Sequence, residues 1–255
     1  MQSKPTRLAV LSLVLASVGM AGEPELEVNV NVAFTPEGRK IAPPTHDQPA
    51  YYFPVVGGYR EEGDLTVGEK KPEPKPIVHL LATTLAKQGY FVVSPEHPQP
   101  SLLLVFFWGY INPQIDDVGT DPSAPQKLFY NQKDMVALLG GQTLGNLDLN
   151  FEREAVMQGA EDNRYFVLVS AYDFAAARQH KKVLLWQARM STPSGGVTLD
   201  EVIPALINGG GPSFGRETAR PQWVDLPIAP QGKVEIGTPT VVPDATAKKP
   251  EPEKK

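Results

Sequence analysis

"SLLLVFFWGYINP", residues 101–113, is the most apolar stretch outside the N-terminus, and its reading decides the fold. Its core of about eight apolar residues is far short of the ~20 that a membrane-spanning helix needs. A barrel strand in a membrane runs ~9–11 residues and alternates in polarity. This stretch does not alternate: Leu102, Leu104, Phe106 and Trp108 share one face, and Leu103, Val105 and Phe107 share the other. A strand apolar on both faces is an interior strand with a layer on each side.

The flanking sequence supplies the partners. Upstream, "PIVHLLATTLAKQG" (76–89) reads as a helix. Pro76 suits its first turn, Ile77, Leu81 and Leu85 stack at i+4, and Gly89 stops it. "YFVVS" follows as a short strand, then the proline-rich turn "PEHPQP". Downstream, residues 111–130 read as a loop, and 131–141 and 150–160 as short helices. "RYFVLVSAYD" (164–173) and "KVLLWQARMS" (182–191) read as two strands of an antiparallel hairpin. In the second, Leu184, Trp186, Ala188 and Met190 face the core while Gln187 and Arg189 point the other way. "TLDE" (198–201) is a capping box that opens a helix ending at Gly209, with Pro204 expected to kink or shorten it.

Near the start, "ELEVNVNVAF" (25–34) alternates cleanly, with Leu26, Val28, Val30, Val32 and Phe34 on one face, as a half-buried strand does. Residues 35–75 show neither helical nor strand period and hold many prolines and glycines. They are expected to form a long loop covering the second face of the central strand. Within this segment "AYYFPVVGGY" places Tyr51, Tyr52, Phe53 and Tyr59 beside two glycines. These four are the candidate binding residues, because exposed aromatics stack on sugars or grip a partner. The alternative is that they pin the loop to the sheet. Together the elements predict an α+β domain: a mostly antiparallel sheet of about five strands, helices on one face and the long loop on the other.

Both ends differ from this core. Residues 1–21 carry Lys4 and Arg7 ahead of an apolar run, Leu8–Val18, with Gly19 and Ala21 as small residues before a cleavage point. That is the pattern of a signal peptide. Residues 22–228 are expected to form the domain, and 229–255 a solvated, disordered tail rich in proline, lysine and glutamate. The expected location is therefore periplasmic or extracellular, with no stable membrane span after cleavage. The 255-residue chain has no cysteine, which excludes disulfides, thiolate metal sites and a lipid-carrying first mature residue. Its formal net charge of −5 becomes −7 without residues 1–21, which argues against nucleic acid as the main partner.

No catalytic or metal pattern survives its structural requirements. "GPSFG" (211–215) matches G-x-S-x-G, but no strand leads into Ser213 and every histidine precedes it. The glycines of "LLGGQTLG" lack the ending of a phosphate loop. His46–Asp47 and Glu96–His97 lack a second histidine at helical spacing. Asp116, Asp117 and Asp121 lack the alternation of a calcium loop. No catalytic residue, metal or cofactor is assigned. The expected function is a non-catalytic binding or scaffold domain for an envelope protein or polymer. The alternative is a secreted hydrolase with loop-borne acidic residues.

The segments "LLATTLAKQGYFVV…PSLLLVFFWG" and "YFVLVSAYDF…KKVLLWQARMS" resemble small secreted or envelope-associated bacterial proteins of unknown function, across residues 77–210. The resemblance implies helices on one face of an antiparallel sheet. Many such proteins are lipoproteins. The shared features are structural, so no site residue is carried over.

Overall fold

In the computed structural model the described residues are 25–63, 70–97, 99–117, 127–130, 132–144 and 151–228. The segments read as signal peptide and tail lie outside them. Seven strands form one mixed sheet in the order β3-β2-β4-β7-β8-β1-β9. They are β1 (Glu25–Phe34), β2 (Ala50–Glu62), β3 (Tyr90–Val92), β4 (Leu102–Ile111), β7 (Arg164–Asp173), β8 (Leu184–Pro193) and β9 (Gln222–Pro227). A separate two-stranded ribbon pairs β5 (Gln114–Asp117) with β6 (Lys127–Tyr130). The expectation of about five mostly antiparallel strands is therefore corrected. β2 runs parallel to both β3 and β4, while β4–β7, β7–β8, β8–β1 and β1–β9 are antiparallel.

The segment 35–75 is not a covering loop either, because β2 lies within it. Its Pro54 is tolerated for a local reason. β3 pairs with β2 only at Ala50–Tyr52, so beyond Tyr52 β2 is an edge strand with β4 as its one partner. Proline is accommodated at an edge. Gly57 forms a bulge, where the register with β4 shifts between Val56 and Gly58. The region 111–130, read as a loop, holds the β5–β6 ribbon.

Helices pack on both faces, a further correction. On the first lie α1 (Pro74–Ala86) and α5 (Leu199–Gly210). The even-numbered residues of β1 and β4, Tyr165, Val167, Val169 and Ala171 of β7, and Trp186, Ala188 and Met190 of β8 meet Leu81, Leu85, Val202, Leu206 and Ile207 there in one core. α5 runs through Pro204 without a break. Pro204 is exposed, so the carbonyl it leaves unbonded faces water. Thr198 N–H donates to the Glu201 carboxylate at 2.8 Å, closing the helix start as the sequence requires.

On the second face lie α2 (Gln132–Leu138), α3 (Phe151–Gly159) and the short α4 (Phe174–Arg178). Met135, Leu138, Leu139 and Val156 bury Ile111 and Phe166 in a smaller cluster. Asn31 of β1 donates to the Leu138 carbonyl at 2.6 Å, tying the end of α2 to the sheet. This second layer is incomplete: Leu103, Val105 and Phe107 of the central strand are only half-buried. None of the helices among the described residues is long and apolar enough to cross a membrane.

Candidate functional site

The four candidate aromatics divide between the two faces. Tyr52 is fully buried toward the helices, edge-on to Phe106 at 6.4 Å. Its hydroxyl has no partner among the described residues, and burial pushes its pKa well above the ordinary phenol value. Tyr59 packs on the same side, beside Tyr110 and under the Lys71 ammonium at 5.1 Å. These two belong to the core. Tyr51 and Phe53 point to the second face. His97, in the segment after β3, stacks on Tyr51 there at 4.4 Å. Phe53 is 47% exposed and touches Phe174 of α4.

Phe53 opens onto an apolar surface that sequence reading did not single out. The register places Phe53 beside Leu103, Val55 beside Val105, Leu103 opposite Tyr172, and Phe107 opposite Leu168. A groove of about 380 Å³ follows this strip, lined by Leu103, Val105, Phe107, Tyr172, Ala177 and the turn His180–Lys182. The Arg60 guanidinium sits over the Phe107 ring at 4.8 Å. An apolar floor thus carries cationic groups at two edges, in a chain whose net charge is negative. The signal for this groove was present in the sequence, since Leu103, Val105 and Phe107 form the second apolar face of β4.

His180 shapes one edge. It is the non-glycine residue with positive φ among the described residues, at +58°. Its N–H donates to the Ala177 carbonyl at 2.9 Å and the Lys181 N–H to Ala176 at 3.0 Å, the paired bonds that close a helix with a left-handed residue. Glycine adopts that conformation without the clash of a Cβ. A His180→Gly variant is expected to gain about 1 kcal/mol. That corresponds to a rise of roughly 2–4 °C in melting temperature for a domain of this size. A fall in melting temperature would mean the His180 side chain makes a stabilising contact that outweighs the strain.

Polar residues also sit on the second face, beside the cluster under α2 and α3. Arg164 is fully buried, with its Nε 3.2 Å from Ser191 Oγ and its guanidinium 5.8 Å from the Trp223 ring. Burial brings its pKa down to about 10, opposed by the charges of Asp162 and Glu27. Gln187 donates to Ser170 at 2.8 Å. Arg189 lies in a cleft of about 220 Å³ beside Gln187, between Phe166, Leu168 and α2. Burial lowers its pKa too, with no offsetting carboxylate among the described residues.

Ser213 lies in a 3-10 turn after α5, with its hydroxyl 3.5 Å from Gln222. Among the described residues no group of three or more histidine and carboxylate side chains converges on a metal-sized site. Glu96 and His97 are exposed in the segment after β3, and His46 and Asp47 are exposed in the segment before β2. Asp121 lies outside the described residues, as do the side chains of Asp116 and Asp117.

No protein-family model matches the chain, and no curated protein matches it. Among solved structures the chain is similar to a PelC dodecamer from Paraburkholderia phytofirmans, at 11% identity and a TM-score of 0.33, over 74% of this chain and 97% of that one.

Proposed function

We propose that this protein is an exported, non-catalytic binding domain of the cell envelope, and that the second face of its sheet is the working surface. The observation that carries this reading is the asymmetry of the two faces. α1 and α5 seal the first. The second leaves Phe53, Val55, Leu103, Val105 and Phe107 partly open around a groove. An apolar patch kept open on a chain with enough helices to cover it is the usual mark of a docking site. The cationic edges formed by Arg60, Lys181 and Lys182 suit an apolar segment that carries acidic residues. Export rests on the composition of residues 1–21.

The test is site-specific photocrosslinking in the source cell. A photoreactive residue at position 53 or 105 should give a discrete adduct in the envelope fraction, on a chain beginning near Gly22. The same residue at the exposed position 208, on the outside of α5, should give none. Equal adducts at all three positions, adducts at none, or a chain retained in the cytoplasm would overturn the reading.

A further inference from the structure

We infer that the cleft at Arg189 is a binding site for a small carboxylate ligand with an apolar body. The inference rests on the hydrogen-bond state of Arg189 and is independent of the groove described above.

Arg189 Nη1 is held from behind. It donates to Asn31 Oδ1 at 3.4 Å. With the Gln142 amide turned so that its nitrogen donates to the Ala137 carbonyl at 3.1 Å, its oxygen accepts from the same Nη1 at 3.1 Å. The guanidinium is thereby fixed in orientation. Its other edge, Nε and Nη2, has no partner among the described residues. These atoms are not sealed away, because Arg189 lines the cleft. That edge carries two parallel N–H donors and matches the two oxygens of a carboxylate. The molecule uses the same edge elsewhere: Arg39 donates from Nε at 2.9 Å and Nη2 at 2.6 Å to the two oxygens of Glu217.

The comparison with Arg164 separates a structural arginine from a poised one. Both lie on the second face, on adjacent strands. Arg164 bonds Ser191, stacks near Trp223 and feels the charges of Asp162 and Glu27. Arg189 is also withdrawn from solvent, yet no carboxylate among the described residues lies within ion-pair distance. A half-buried cation held in orientation, with a two-donor edge turned to a cleft, fits a site that a ligand completes.

The walls state what else the ligand carries. Ile111, Leu138, Phe166 and Leu168 are apolar, and Gln187 adds an amide near the arginine. An engineered apolar cavity of ~150 Å³ takes benzene, so about 220 Å³ suits one ring or branched chain beside the carboxylate. Glu62 and Asp134 also line the cleft, and both are exposed to water. They stand at its mouth and would favour a cationic ligand if they governed binding.

The experiment sets those two outcomes against each other with 3-phenylpropanoate and 3-phenylpropylamine, which share ring and spacer and differ in charge. Titration calorimetry on the folded protein should show the carboxylate binding about ten- to hundredfold tighter than the amine, the scale of a charged hydrogen-bonded contact. Arg189→Gln should lose that preference while its melting temperature holds or rises, because a half-buried charge with no carboxylate partner among the described residues is removed. Arg189→Lys should keep part of the affinity, as a point charge without the fork. Equal or tighter binding of the amine would overturn the site, as would unchanged carboxylate binding in Arg189→Gln or no binding at millimolar concentration. Should Arg189→Gln fail to fold, the wild-type preference between the two probes decides alone. Loss of the crosslinks at positions 53 and 105 would leave this result untouched.

Discussion

A Trp108→Ala variant is expected to lose about 3–5 kcal/mol of stability, the usual cost of removing a large aromatic from a closed core. Trp108 is fully buried on the central strand, facing α1 and α5, level with Tyr59 on β2 and Val167 on β7. Its neighbours are held by strand pairing on both sides and by helices above, so the space it leaves has little freedom to collapse. For a domain of ordinary marginal stability, about 5–15 kcal/mol, that is a large share of the total. Denaturant unfolding should show a lower midpoint at unchanged slope. Trp108→Phe should cost much less. It keeps a ring in place and removes the indole N–H, which is buried without a partner among the described residues. Phe53→Ala on the open face should stay within about 0.5 kcal/mol of wild type. If Trp108→Ala and Phe53→Ala prove equally mild, the division into a sealed face and an open face is wrong.

Much of the helix side of this arrangement was legible in the sequence. β1, β4, α1 and α5 each carry an apolar period long enough to overcome local breakers, and their ranges agree with the reading to within a few residues. β2 was not legible, because Pro54, Gly57 and Gly58 are turn signals on any local scale. Their tolerance depends on β3 stopping at Val92, a fact of tertiary pairing. The same bulge hid the split among the aromatics. Without it Tyr52 and Tyr59 would fall on opposite faces by simple alternation. The extra residue at Gly57 reverses the phase, so Tyr59 pairs with Trp108 as Tyr52 pairs with Leu102. β9 was missed because "QWVDLP" is short, half-exposed and ends in proline. At the Arg189 cleft, period two placed Gln187 and Arg189 on the outer face correctly. That Arg189 lacks an acidic partner depends on how α2 docks, which alternation does not encode.

Gly109→Ala is the complementary case, in which adding one carbon is expected to cost about 3 kcal/mol or more. Gly109 sits on β4 paired with Arg60 of β2, at φ +156°. A Cβ there would lie 2.8 Å from the Arg60 carbonyl carbon and 2.9 Å from its amide nitrogen, and closer still to its carbonyl oxygen. The obstacle is backbone, so no rotamer relieves it; β2 must move away from β4. The end of β2 from Tyr59 to Glu62 has no other strand to hold it. Amide exchange should therefore accelerate over 59–62 more than anywhere in β7 or β8. Arg60 should leave the Phe107 ring, and Glu62 should leave the mouth of the Arg189 cleft. Gly58→Ala is the control. Its φ is +89°, but nothing lies within 4 Å of the added carbon, so only the backbone strain of about 1–2 kcal/mol applies. If the two variants unfold at the same denaturant concentration, close approach of β2 and β4 is not what fixes this edge of the sheet.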